Sequence, residues 1–111
     1  MASNLNLNIE QGATFSIGLE LTDDTGVTFD LDGYTGRSQM RRSHSSSTAI
    51  DLDVTITDTT GGNLTLSKTA ATTASITAGR YVYDLEVFNA SGVVKRIVEG
   101  VATVLPEVTK S

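Results

Sequence analysis

The residue types that carry most enzyme chemistry are scarce in this chain, and where they occur their spacing is that of β-strands. His44 is the only histidine, and there is no cysteine. A general base or a metal-bound imidazole needs partners that converge on it. The neighbours of His44 are Ser43, Ser45, Ser46 and Ser47, so it is expected in a polar, solvent-exposed loop. Carboxylates recur at i, i+2 spacing in Asp30/Asp32 and Asp51/Asp53, which on a strand puts both on one face. Clustered carboxylates suit calcium, and a close pair suits glycoside hydrolysis. Yet the spacing of a calcium loop is missing, and in Asp51-Leu52-Asp53 the acids simply take the wet positions of an alternating strand. No catalytic, metal-ligating or cofactor-binding residue is assigned, and an enzyme is not expected.

Two surface features remain as candidates. Arg37, Arg41 and Arg42, with Gln39 between them, form a small basic stripe on an otherwise acidic chain. It reads either as a solvated strand face that discourages edge-to-edge aggregation or as a docking surface for an acidic protein partner. Arg80 and Arg96 would extend it if their strands are neighbours. The last strand carries apolar residues on both faces: Val94, Val98, Ala102 and Val104 on one, Val93, Ile97 and Val101 on the other. A strand covered on one side does not need both. Either a bulge near Gly100 swaps the faces, or a partner covers Val93, Ile97 and Val101. These three and the arginines are the candidate protein-interface residues.

Period-two alternation builds the elements that must position these residues. Leu5, Leu7 and Ile9 alternate with polar residues, as do Phe15, Ile17, Leu19 and Leu21, and again Ile50, Leu52, Val54 and Ile56. About seven strands are expected, at 4–10, 13–22, 34–42, 48–57, 63–67, 80–88 and 93–104. Asp23-Asp24-Thr25-Gly26 and Asp58-Thr59-Thr60-Gly61-Gly62 are tight-turn sequences. Gly36, Ser38 and Met40 should face inward, and Arg37, Gln39 and Arg41 outward. Residues 67–76 are rich in Ala and Thr, and Ser67 is placed to cap one helical turn there. In immunoglobulin-like sandwiches a Tyr near the start of the sixth strand bonds the corner before it, two positions ahead of the second sandwich Cys. Tyr81 fits that place, and Tyr83 stands where the Cys would be. The expectation is an all-β, immunoglobulin-like antiparallel β-sandwich of about seven strands, with residues 1–111 as one domain.

Composition narrows the function classes. Threonine and serine supply 28 of 111 residues, which suits strands and turns. With three Phe, three Tyr and no Trp, the core must be mostly aliphatic. A net charge of −5 argues against nucleic acid, which needs Lys and Arg to neutralise phosphates, and against an anionic membrane surface. No basic N-region followed by an apolar run opens the sequence, so no secretory leader is expected. No apolar run approaches the roughly 20 residues of a spanning helix.

Several pieces, taken in order, resemble small bacteriophage virion proteins. They are Gln11-Gly12-Ala13-Thr14-Phe15, Phe29-Asp30-Leu31-Asp32-Gly33-Tyr34-Thr35, Gly36 to Arg41 and Leu64-Thr65-Leu66-Ser67. Most specific are Ala78-Gly79-Arg80-Tyr81-Val82-Tyr83-Asp84-Leu85-Glu86-Val87 and Glu99 to Thr109. Together they are similar to the immunoglobulin-like N-terminal domain of phage baseplate upper proteins and to related tail and neck proteins. A bulkier residue usually stands in that pattern where this chain has Ser38. The resemblance implies a non-enzymatic assembly or attachment module of the tail, neck or baseplate, made in the host cytoplasm and built into the virion. It implies other virion proteins, and copies of the same chain, as partners. Capsid decoration is the alternative. A host-surface carbohydrate-binding module is a further one, for which Tyr34, Phe88 and Phe29 are the rings open to a sugar.

Overall fold

The computed structural model describes residues 3–22 and 26–108. Among these residues the fold is all-β apart from one short helix. Its strands are β1 (Ser3–Asn4), β2 (Leu7–Glu10), β3 (Phe15–Glu20), β4 (Tyr34–Arg41), β5 (Ile50–Asp58), β6 (Asn63–Lys68), β7 (Gly79–Asn89) and β8 (Val94–Leu105), with α1 (Ala70–Ala74) between β6 and β7. The expected alternation is what forms them: β2 buries Leu7 and Ile9 and exposes Asn8 and Glu10, and β7 buries Tyr81, Tyr83, Leu85 and Val87 in turn. The turn expected at Asp23-Asp24-Thr25-Gly26 lies, in its first three residues, outside the described ones.

The strands join in one hydrogen-bonded path, β1-β8-β7-β4-β5-β6-β3, with β2 also on β8. Two separate layers were expected. Instead, β5 belongs to both halves: Ile50 to Leu52 pair with β4, and Asp53 to Asp58 pair with β6. The sheet therefore curls into a nearly barrel-shaped form around one core. Pairing is antiparallel except at the start, where β1 and β2 run parallel to β8, so the expectation of a wholly antiparallel sheet is corrected there. The core is mostly aliphatic, as the composition requires. Ile9, Leu31, Met40, Leu64, Leu66, Leu85, Val87 and Val104 are its most fully buried large side chains.

The expected first strand is two strands, and the reason is visible. Asn4 pairs with Glu99 and Leu7 with Ala102, so the register is unchanged across the break at Leu5-Asn6. There the backbone passes so close to β8 that a Cβ on Gly100 would stand 2.2 Å from the Leu5 carbonyl oxygen. Only glycine permits the approach. The same carbonyl accepts the Tyr83 hydroxyl at 2.5 Å, and Tyr83 pairs with Gly100 across β7 and β8. Asn6 then accepts the Val101 amide through its side chain at 3.1 Å.

The corner before β7 forms as expected, with one shift. The Tyr81 hydroxyl donates to the Thr77 carbonyl at 2.7 Å. The helical turn is capped by Thr69, whose side chain accepts from the Thr72 amide, and not by Ser67. Ser67 and Lys68 stay in β6, paired with Ser16 and Phe15. Thr73 is fully buried, and its hydroxyl donates to the Ala13 carbonyl at 2.8 Å. Gln11 ties the same corner to the C-terminal segment: its amide group donates to the Ile76 carbonyl at 2.7 Å and accepts from the Glu107 amide at 3.2 Å.

Gly100→Ala is expected to lower stability by about 1–3 kcal/mol, the usual cost of forcing extra volume into a filled site. Gly18→Ala, where an added Cβ meets nothing within 4 Å, should cost nothing. Urea unfolding of both variants checks this, and equal stabilities would sink the account of the Leu5 crossing. Burial pushes the Tyr83 phenol from 10.0 up to about 12. The folded state thus favours the protonated form, so this contribution is complete below pH 10 and is lost as the pH rises from about 10 to about 12. Tyr83→Phe should flatten that part of the alkaline stability profile. At neutral pH it should cost about 1 kcal/mol for the lost hydrogen bond.

Candidate functional site

The groups singled out for chemistry do not converge. His44 is exposed in the loop after β4. Asp30 accepts the amide of Asp32 at 2.9 Å and so closes a turn. Asp51 accepts from the Gln39 side chain at 2.9 Å, and Asp53 lies 3.8 Å from the Lys68 ammonium. Among the described residues no group of three His, Cys, Asp or Glu is arranged to hold a metal ion.

The arginine stripe is engaged within the chain. Arg37, Glu86 and Arg96 stand side by side across β4, β7 and β8. Arg37 Nε lies 2.9 Å from Glu86 Oε1, and Arg96 spans Asp84 Oδ2 at 3.2 Å and Glu86 Oε2 at 3.8 Å. The Arg37 guanidinium also covers the Phe88 ring, 4.6 Å from its centroid. Arg41 donates to the Ser46 carbonyl at 2.6 Å and to Gln39 Oε1 at 3.1 Å, which holds the polar loop. Arg42 donates to the Ala78 carbonyl at 3.2 Å and lies over the Tyr81 ring, so it props the corner. Arg96 does extend the row, as the sequence suggested. The charges of Arg37 and Arg96, however, are matched by Asp84 and Glu86. The outer face of β4, β7 and β8 is therefore a mixed-charge lattice, shallowly concave over about 530 Å³ with His44 at its rim, and not a basic patch.

Val93, Ile97 and Val101 do not share one exposed face. Leu85 pairs with Val98 and Glu86 with Arg96, so Ile97 is an extra residue in β8. A bulge, one of the two alternatives read from the sequence, is present; it lies at Ile97, three positions before Gly100. It reverses the strand's faces. Val98 points to the core, whereas Arg96 joins the outer lattice; Lys95 pairs with core-facing Val87 and reaches over the Phe29 ring at 5.3 Å. Ile97 packs against the core, Val101 is half-buried beside Asn6, and Val93 and Val94 are 42% and 49% exposed near the β7–β8 turn. The doubly apolar pattern is the signature of the face switch.

The rings considered for sugar stacking are also occupied. Phe29 and Tyr34 pack edge to face at 5.5 Å, Lys95 covers Phe29, and Arg37 covers Phe88.

What the sequence reading missed is an edge. The hydrogen-bonded path ends at β3, which among the described residues pairs only with β6. Beside it runs a groove of about 510 Å³ with Asn6, Asn8 and Glu10 on one wall and Thr14, Ser16 and Ile17 on the other. The only signal in the sequence was the lack of Lys, Arg or Pro between Gln11 and Leu19.

No protein-family model matches the chain, and no curated protein matches it in sequence. Solved structures do share its fold. An internalin-like protein of Listeria monocytogenes superposes with a TM-score of 0.52 at 16% identity, over 94% of this chain and 28% of the other. The SrpA adhesin of Streptococcus sanguinis superposes with a TM-score of 0.51 at 14% identity, over 91% of this chain and 55% of the other. The chain thus spans about a quarter and about half of these two proteins. At such identity the likeness is one of fold, and neither is a bacteriophage protein.

Glu86→Gln removes the carboxylate shared by Arg37 and Arg96. Because the arginine side chains are more than half exposed, the expected loss is below about 1 kcal/mol and should shrink at high salt. Urea unfolding at low and high ionic strength checks it. A loss that ignores salt would mean that the lattice is shielded from solvent.

Proposed function

We propose that this chain is a non-enzymatic bacteriophage virion structural protein, an assembly or attachment module of the tail, neck or baseplate built on an immunoglobulin-like sandwich. One observation carries the reading: the pieces that resemble that family are the pieces that hold the frame. Gln11 ties the corner to the C-terminal segment, Tyr81 bonds back to Thr77, and Gly100 admits the first strand. The immunoglobulin-like assignment draws support from this tyrosine corner. It is also supported by the parallel pairing of the N-terminal segment with the last strand and by the β3-β6-β5 and β8-β7-β4 groupings. In this reading β5 serves both halves as one continuous strand.

Attachment would be carried by sheet surfaces and edges, since the polar groups of the outer face are spent on one another. Of the two alternatives, carbohydrate binding has the weaker case, because its rings are covered by Arg37 and Lys95. Capsid decoration shares the same chemistry and differs only in the neighbour.

Mass spectrometry and labelled-antibody electron microscopy on particles of a phage encoding the chain test the proposal. The expected result is a stoichiometric component at the tail, neck or baseplate that resists a high-salt wash. Label confined to the capsid would favour decoration. Absence from washed particles would overturn the virion reading.

A further inference from the structure

The two ends of the sheet differ in a way that points to a partner. The β8 end is blunted: β1 and β2 are two and four residues long, broken at Leu5-Asn6. Short, interrupted strands are a common protection against unwanted pairing. The β3 end has no such device. It is six regular residues long, with no Lys, Pro or bulge, and among the described residues nothing pairs with its outer edge. Its inward side chains also show the cost. Leu64 and Leu66 on the neighbouring β6 are sealed at 1% and 0% exposure, whereas Ile17 and Leu19 of β3, facing the same core, remain partly open to water.

We propose that β3 pairs antiparallel with β3 of a second copy, about a two-fold axis at Gly18. That register is self-complementary. It sets Ile17 opposite Leu19 of the copy on the inner face, so each half-covered apolar residue meets its counterpart. On the outer face Ser16 lies opposite Glu20, and Gly18 meets Gly18. Glu20 is the only charge on the strand and is not placed against itself, which matters for a chain of net charge −5. Gly18 is exposed, and an added Cβ there meets nothing within 4 Å, so a side chain can be placed at the centre of the contact without disturbing the fold. An antiparallel pair of this kind is isologous and stops at two copies, joining two β3-β6-β5 halves into one continuous sheet. This deepens the assembly reading by naming a contact, and it can fail without that reading failing.

Directly opposed residues in antiparallel strands have Cα atoms roughly 4.5–5.5 Å apart, inside the range that a disulfide spans. The chain has no cysteine of its own, so Gly18→Cys introduces a single thiol. The expected result is a dimer of the natural chain by light scattering and near-complete disulfide-linked dimer of Gly18→Cys under mild oxidation. Gly18→Lys, which sets two ammonium groups against each other at the axis, should have about half the mass with an unchanged circular dichroism spectrum; Ser16→Glu, which sets a second carboxylate opposite Glu20 of the copy, serves as a second variant in case the first is misfolded. A natural chain that stays monomeric across a concentration series overturns the proposal. So does a dimer that survives both Gly18→Lys and Ser16→Glu and leaves Gly18→Cys unlinked, since its contact would lie elsewhere. A monomer that still enters particles removes the edge pairing alone, whereas a cross-linked dimer absent from particles removes the virion reading alone.

Discussion

The Leu5 carbonyl is where the two ends of the chain are fastened, and much of the domain follows from it. It can approach β8 only because residue 100 has no side chain, and it accepts a hydrogen bond from the Tyr83 phenol, whose pKa burial raises. Once it is seated, the N-terminal segment runs parallel to β8, and Leu7 and Ile9 enter the core between the two halves of the sheet. The same commitment has a consequence at the far end. A segment paired with β8 cannot also cover β3, so the curl stops short of closure. The fastening of one edge and the exposure of the other are two results of one choice of partner.

The polar surface is organised mainly for the chain's own frame. Arginines that could have formed a docking stripe instead match Asp84 and Glu86, hold the Ser43–Ser47 loop, and prop the Tyr81 corner. Each such contact is weak in solvent, but together they engage Arg37, Arg96, Asp84 and Glu86 at the centre of the outer face of β4, β7 and β8. Recognition by this domain therefore falls to backbone edges and shape more than to charged groups, which suits a structural role better than a chemical one.

Much of the frame was legible in the sequence. Alternation located all of the main strands to within about two residues, because a half-buried strand must place every second side chain in the core. The tyrosine corner was legible because its bond is local, spanning four residues. Less was legible in the candidate surfaces. The arginines were found, but their partners were not, since Glu86 lies 49 positions from Arg37 and meets it only through the register of β4 with β7. Ser67 looked like a cap because it is a good capping residue. Pairing with Ser16 on a distant strand kept it in β6 and passed the cap to Thr69.

The sequence by itself determined the class of fold, the aliphatic core, the inward and outward faces of most strands and the corner before β7. All of these are local matters of side-chain period and backbone preference. Tertiary structure decided the rest: that β5 joins two halves into one curled sheet, that Ile97 and not Gly100 reverses the faces of β8, and that β3 is left as an open edge. Each of these depends on which strand lies beside which. Neighbours are chosen by long-range packing of the whole core, and no period along a single strand records them.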